Sequence, residues 1–114
     1  MGRRDVLAAN VMFTAMQQLA KNGGQMDFAT LREKVERYAQ LDMWDMTTLP
    51  HGKTRWCSAL ERYSHEYVKA QLITKDHGRW SITAEGIKAL KGDALTAYDI
   101  ARRAYDNWRK QNRI

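Results

Sequence analysis

LITKDHGRWSIT, residues 72–83, is the stretch that decides the fold. The apolar pair Leu72-Ile73 precedes Gly78 and the alternating Trp80-Ser81-Ile82 follows it, a pattern typical of two short strands joined by a tight turn. We predict strands over Leu72–Lys75 and Trp80–Thr83. The turn covers residues 76–79, and Gly78 supplies the positive φ that a tight hairpin needs.

Helical periodicity dominates outside this hairpin. A first helix is predicted over about Asp5–Lys21, because a broad apolar stripe recurs there at steps of three and four. The remaining predicted elements are a short strand at Gln25–Met26, a helix over Phe28–Ala39 after the N-cap Asp27, a loop over 40–53, a helix from the N-cap Thr54 to Gln71, a short helix from the N-cap Thr83 to Leu90, and a last helix over about 93–111.

Three helices followed by a hairpin define the predicted fold class. It is mainly α with a small β-hairpin, a winged helix-turn-helix plus a C-terminal helix. We expect residues 1–92 to form the winged-helix domain. Residues 93–114 then serve for packing, for dimerisation or as a linker to a missing domain, through the apolar stripe Leu95, Tyr98, Ala101, Tyr105 and Trp108.

Composition and charge limit the class of partner. The 114 residues fit one domain, and the net charge is +6. Residues 1–50 carry six basic and six acidic side chains, whereas residues 51–114 carry thirteen and seven. A basic half attracts nucleic acid, an anionic membrane or an acidic protein. No apolar run is long enough for a transmembrane helix, and the single cysteine, Cys57, suits a reducing compartment. A cytoplasmic protein without a membrane partner is expected.

The third helix presents a polar face that suits DNA. At 100° per residue, Arg55, Ser58, Arg62, His65 and Lys69 fall opposite the stripe Trp56, Leu60, Tyr63, Tyr67 and Ala70. Such donors bind guanine edges and phosphates, although an ordinary solvated face has the same composition. Lys53 and Thr54 at the start of this helix, and Lys75, His77 and Arg79 around the hairpin tip, are further candidates for phosphate contact.

The sequence shows few residue patterns that are typical of catalytic or metal-binding sites. Cys57, Glu61 and His65 share one helix edge, but structural zinc sites usually take four Cys or His ligands from turns. No nucleophile motif and no phosphate-binding loop is present. We expect no catalytic residue, no metal and no cofactor, and therefore no enzyme activity in this chain.

Three segments resemble the N-terminal winged-helix domain of Mrr-type restriction endonucleases. They are Leu49-Pro50-His51-Gly52, Ala70-Gln71-Leu72-Ile73 and Gly78-Arg79-Trp80-Ser81-Ile82-Thr83-Ala84-Glu85-Gly86. That family tends to show Leu-Pro-x-Gly, Ala-Gly-Leu-Ile and Arg-Gly-x-Trp-x-Ile-Thr-x-x-Gly. The resemblance covers roughly residues 10–91. Gln71 departs from the family glycine, and Gly78-Arg79 reverses the family order.

The resemblance implies a module that binds double-stranded DNA, methylated or unmodified, for a modification-dependent nuclease. Trp44 is then the candidate base-reading aromatic side chain. The chain is either a piece of such a nuclease or a free-standing protein of similar fold. Two alternatives stay open: a dimeric winged-helix transcription regulator, with a homodimer through the C-terminal helix, and a winged-helix module for protein–protein interaction.

Overall fold

The computed structural model describes residues 1–113 and is mainly helical with a small antiparallel sheet. The elements run α1 Arg3–Lys21, β1 Gln25–Asp27, α2 Phe28–Tyr38, α3 Arg55–Lys69, β2 Ile73–Asp76, β3 Arg79–Ile82, α4 Ala84–Ala89 and α5 Ala94–Gln111. This arrangement is compatible with a winged-helix architecture.

The sheet has three strands in the order β1-β3-β2, because β1 adds to the predicted hairpin. Met26 of β1 pairs with Trp80 of β3, and Asp76 of β2 pairs with Arg79. The predicted four-residue turn is therefore wrong by two residues, since Asp76 and Arg79 belong to the strands. His77 and Gly78 form the two-residue turn with φ of 49° and 79°, the conformation of a type I′ hairpin.

Local signals set most helix ends where the sequence predicted them. Asp27 caps α2 by accepting the Thr30 amide at 3.0 Å, and Thr83 caps α4 by accepting the Gly86 amide at 3.0 Å. Helix α3 starts after Thr54, as predicted, but the Thr54 side chain makes no capping hydrogen bond. The helix ends at Lys69 instead of Gln71, because the backbone of Gln71 is left-handed.

Helix α1 lies at the centre of the core and packs against α2, α3 and α5. Its predicted stripe is buried throughout, including Met12, Met16 and Leu19. Trp80 of β3 is buried on the core side of the sheet, and its ring stacks on that of Phe28, with ring centres 5.0 Å apart. The helices and the sheet therefore share a single hydrophobic core.

Helix α5 packs within the same chain. Ala97, Tyr98 and Ala101 are buried, and the Tyr98 hydroxyl donates to Asp5 of α1 at 2.5 Å. Leu95 and Trp108, at the two ends of the predicted apolar stripe, are exposed. Tyr98 and Ala101 of the stripe are buried, where α5 packs against α1 and α3.

Candidate nucleic-acid interface

The predicted division of α3 into two faces is confirmed. Trp56, Leu60 and Tyr67 are buried, whereas Arg62, His65 and Lys69 on the opposite side are exposed. Arg55 and Ser58 are half-buried, because α1 and the loop before α3 approach them. The exposed face is therefore bordered by other elements and lies at the base of several concavities.

The first concavity, which we call the arginine pocket, measures about 230 Å³. It lies between the start of α1, the Leu49–Gly52 turn and the first two turns of α3. Its polar members are Arg4, His51, Arg55, Ser58 and Arg62, and its apolar walls come from Leu7, Leu49, Ala59 and Tyr63. The pocket is thus lined by three arginines and two further hydrogen-bonding side chains from three separate segments.

The three arginines of this pocket differ from most cations around them. Within residues 1–113, no carboxylate lies within 4 Å of Arg4, Arg55 or Arg62. Neighbouring cations are neutralised, since Arg3 pairs with Asp42 at 3.4 Å, Lys53 pairs with Glu61 at 2.5 Å and Arg102 pairs with Glu66. The positive charge of the pocket is therefore available to an anion.

Trp44 lies against arginines. The guanidinium carbons of Arg55 and Arg3 lie 4.2 Å and 4.4 Å from its ring centre. Arg55 also donates from Nη1 to the Trp44 carbonyl oxygen at 2.7 Å. Trp44, which was predicted to contact a base, is half-buried in this structure, and its ring contacts the guanidinium groups of Arg3 and Arg55.

The loop that carries Trp44 is held by its own hydrogen bonds. The amides of Asp42 and Asp45 donate reciprocally to the carboxylates of Asp45 and Asp42, at 3.0 Å and 2.8 Å. These bonds hold the pKa of Asp42 below its usual range, the Asp45 amide being the main cause. The loop also satisfies the first backbone amides of α3, because the amides of Arg55 and Trp56 donate hydrogen bonds to the carbonyl oxygens of Thr47 and Asp45. The first two amides of α3 are consequently already engaged.

A second concavity, the α3–α5 groove, lies beside the arginine pocket and shares Arg62 and Tyr63 with it. It measures about 300 Å³ and adds His65, Glu66, Arg102, Tyr105 and Arg109. Burial raises the pKa of Glu66, and the nearby Arg102 opposes that shift. Lys69 lies further along α3, with its ammonium 4.1 Å from the centre of the Trp108 ring.

A third concavity, the hairpin pocket, lies on the other side of α3 and shares His65 with the groove. Lys75 lines it, with Nζ 2.7 Å from the Ser64 hydroxyl and 4.9 Å from the Trp80 ring centre. Burial lowers the pKa of Lys75. Its charge therefore lies against α3, away from the hairpin tip.

The hairpin tip itself carries His77 and Arg79. His77 is almost fully exposed and lies 2.6 Å from the Asp76 carboxylate. Arg79 is exposed and donates from Nε to the Gln25 side chain at 3.2 Å. Of the predicted site residues, Arg55, Ser58, Arg62 and His65 thus lie together along α3, whereas Lys53 pairs with Glu61 and Lys75 lies against Ser64. Lys69 lies over the Trp108 ring as Arg55 lies over the Trp44 ring.

Sequence patterns missed Arg4, His51, Arg102 and Arg109. Each belongs to a different element from α3, so only tertiary packing brings it to the surface of that helix. A signal existed for His51 alone, because it occupies the variable position of the Leu-Pro-x-Gly segment. The Gly52 amide donates to the Leu49 carbonyl at 2.8 Å, and this turn places His51 at the pocket.

Cys57 is buried, and burial raises the pKa of its thiol. Residues 1–113 contain no group of three or more His, Cys, Asp or Glu side chains that could hold a metal ion. Within the same residues, no helix has both the length and the apolar composition needed to cross a membrane.

No family model, no curated protein and no solved structure matches this chain.

Proposed function

We propose that the chain is a winged-helix module that binds double-stranded DNA through the exposed face of α3. The order of elements supports it: α1, β1, α2 and α3 precede the β2–β3 hairpin, and β3 lies between the other two strands. In helix-turn-helix proteins the second helix of the motif enters the major groove. Helix α3 follows α2 and directly precedes the hairpin, which supports the same role for it in this chain.

One observation carries the proposal. Arg4, Arg55 and Arg62 converge beside the exposed face of α3, and no carboxylate among residues 1–113 neutralises them. Proteins bind DNA largely by placing arginine and lysine against phosphates. Arg62 and His65 are exposed on this face, where a base edge can reach them.

The specific role that we propose is the DNA-recognition module of an Mrr-type restriction endonuclease. The three motif segments carry this proposal. Each has a physical function here: Gly52 closes the turn beside the arginine pocket, Gln71 ends α3, and Gly86 allows α4 to approach the sheet. A protein-interaction module remains the outcome to which failure of DNA binding would point.

Fluorescence anisotropy with pooled duplexes tests this function. The pools are unmodified, adenine-methylated and cytosine-methylated. We expect the wild-type chain to bind duplex DNA and Arg62→Ala to weaken binding by about 10-fold to 150-fold, since a charge-assisted hydrogen bond is worth about 1.5–3 kcal/mol. Preference for one methylated pool supports the restriction-type role.

Lys21→Ala is the matched control. It removes the same charge at the far end of α1, about 25 Å from Arg4 at 1.5 Å per residue. Equal losses for Arg62→Ala and Lys21→Ala would mean that only net charge attracts the DNA. Weak binding, equal for all pools and absent at physiological salt, would overturn the proposal in favour of a protein partner.

A further inference from the structure

We infer that the arginine pocket is a subsite for one phosphate group, in which Trp44 holds Arg55 in place. The inference rests on the proposed function for the source of that phosphate, which is DNA. It goes further in assigning one pocket, one chemical group and one positioning residue.

The donors of the pocket match a phosphate. Arg4, Arg55 and Arg62 supply planar guanidinium groups, which bind phosphate oxygens in pairs of parallel hydrogen bonds. Ser58 adds a hydroxyl donor. The Lys53 amide donates to Nδ1 of His51 at 3.3 Å, which leaves Nε2 of the ring as a further hydrogen-bonding atom beside the pocket.

The walls of the pocket strengthen these interactions. Leu7 and Ala59 bring apolar surface beside the guanidinium groups, and the Leu49 turn partly encloses the opposite side. Apolar walls lower the effective dielectric constant around the charges, and a lower dielectric constant increases Coulomb attraction. An anion entering this pocket is therefore bound more strongly than one on an open lysine-rich surface.

Arg55 is ordered before any ligand arrives. Its guanidinium lies over the Trp44 ring and donates to the Trp44 carbonyl, while its own amide donates to Thr47. The reciprocal hydrogen bonds of Asp42 and Asp45 fix the loop in turn. Ordering a long side chain in advance removes part of the entropy cost of binding. Trp44 is thus a positioning residue, and its ring need not contact a base.

A titration with inorganic phosphate tests the subsite directly. The full chain is followed by nitrogen-15 NMR of the arginine Nε–H groups at constant ionic strength, balanced with chloride. We expect the signals of Arg55 and Arg62 to shift along one saturable curve, while the signal of Arg103 on the outer face of α5 stays unchanged. Shifts that are linear, or equal for all arginines, would overturn the inference.

Two Trp44 variants test the positioning role. Trp44→Leu should weaken phosphate binding about threefold to tenfold, the range expected for loss of a cation–π contact. Trp44→Phe keeps an aromatic face and should restore most of the affinity. Because Trp44→Leu can also disturb the loop, Arg62→Ala provides an independent test on an exposed residue, and it should weaken phosphate binding with the loop intact. Wild-type affinity in both Trp44→Leu and Arg62→Ala would overturn the inference.

Three duplexes of one sequence identify the source of the phosphate. They carry 5′-phosphate ends, 5′-hydroxyl ends, or closed hairpin ends with no terminus. Loss of affinity in Arg55→Ala on the closed duplex assigns the pocket to a backbone phosphate. Loss only on the 5′-phosphate duplex assigns it to a strand end.

The two proposals can fail separately. If Arg55→Ala binds all three duplexes as the wild-type chain does, the subsite is wrong and DNA binding stands. If the wild-type chain binds none of them but phosphate still saturates the Arg55 signal, the subsite stands as an anion site and the proposed function is wrong.

Discussion

Gly86 lies where a side chain has no room. A Cβ atom at this position would lie 2.2 Å from the Leu72 carbonyl oxygen and 2.7 Å from a side-chain carbon of Ile82. The first of these neighbours is backbone of the segment leading into β2 and cannot rotate away. The last glycine of the Trp-x-Ile-Thr-x-x-Gly segment is thus required by the contact between α4 and the sheet.

Gly86→Ala should therefore destabilise the fold. Overpacking of this kind costs about 1–3 kcal/mol in the free energy of unfolding, which urea denaturation can measure. Gly92→Ala is the control, because the nearest atom to its added Cβ is 3.6 Å away. That variant should stay within about 0.5 kcal/mol of the wild-type chain. Similar stabilities for the two variants would contradict the close approach of α4.

Gln71 occupies a backbone position that favours glycine. Its φ is 62°. The Leu72 amide donates to the Tyr67 carbonyl, and the Gln71 amide donates to the Val68 carbonyl, both at 3.0 Å. These two bonds form a Schellman motif, in which the left-handed residue is usually glycine. The departure from the Ala-Gly-Leu-Ile pattern is a departure in side chain and not in backbone conformation.

The stability of variants at position 71 should follow how well each residue type tolerates the left-handed region. Gln71→Gly should stabilise the chain by about 0.5–1 kcal/mol, since relief of left-handed strain exceeds the extra entropy of the unfolded chain. Gln71→Val should destabilise it by about 1 kcal/mol or more, because a β-branched residue is least tolerated there. Thermal unfolding of the three proteins gives the order directly, and a Gly variant less stable than the wild-type chain would contradict this account.

Helices α3 and α5 are joined by one partly buried ion pair. Glu66 is buried on α3 and bonds to Arg102 of α5, whose side chain is 43% exposed. Arg103, the next residue, pairs with Asp99 on the solvent side of the same helix at 3.1 Å. Two adjacent arginines thus differ in whether their partner is buried.

Arg102→Ala should cost about 1–3 kcal/mol at pH 7, because it leaves the Glu66 carboxylate buried without its cation, and solvent reduces the value below that of a fully buried pair. Burial raises the pKa of Glu66 above its usual 4.5, with Arg102 opposing the shift. Protonation of Glu66 therefore favours the folded state: this contribution is complete below pH 4.5 and is lost as the pH rises through the folded value. The deficit of Arg102→Ala should accordingly shrink at pH 4.

Arg103→Ala serves as the comparison for the same denaturation series. An exposed pair four residues apart contributes about 0.3–0.5 kcal/mol, so this variant should remain close to the wild-type chain at both pH values. A deficit of Arg102→Ala that is the same at pH 7 and pH 4 would show that Glu66 is not the cause.

The elements were predictable because their signals are local. Capping side chains at Asp27, Thr83 and Asp93, and the period of three to four in α1, act within a few residues of one another. The exact turn was not predictable, because His77 adopts a positive φ that its residue type only tolerates. Which residues of the α5 stripe become buried was not predictable from spacing, because the direction in which α5 packs against α1 and α3 leaves Leu95 exposed.

At the scale of the whole molecule, the basic surface is a product of tertiary structure. The face of α3 could be predicted from helical spacing. Its surroundings could not, since Arg4 is 58 residues from Arg62 in the chain and Arg102 is 40 residues from it. The contact of Lys75 with Ser64 and the pairing of Lys53 with Glu61 join residues 11 and 8 positions apart, and each of them crosses an element boundary that helical spacing alone does not describe. Sequence patterns therefore identified the central helix of the candidate site and missed most of its border.

The salt dependence of duplex binding tests the central claim most directly. Four arginines that line the arginine pocket and the α3–α5 groove have no ion pair in residues 1–113: Arg4, Arg55, Arg62 and Arg109. If each neutralises one phosphate, the logarithm of the binding constant should fall with the logarithm of salt concentration with a slope of about −3 to −4. Arg62→Ala should reduce the size of that slope by about 1, and Lys21→Ala should leave it unchanged. A wild-type slope near zero, or an equal change in both variants, would contradict DNA recognition by this face.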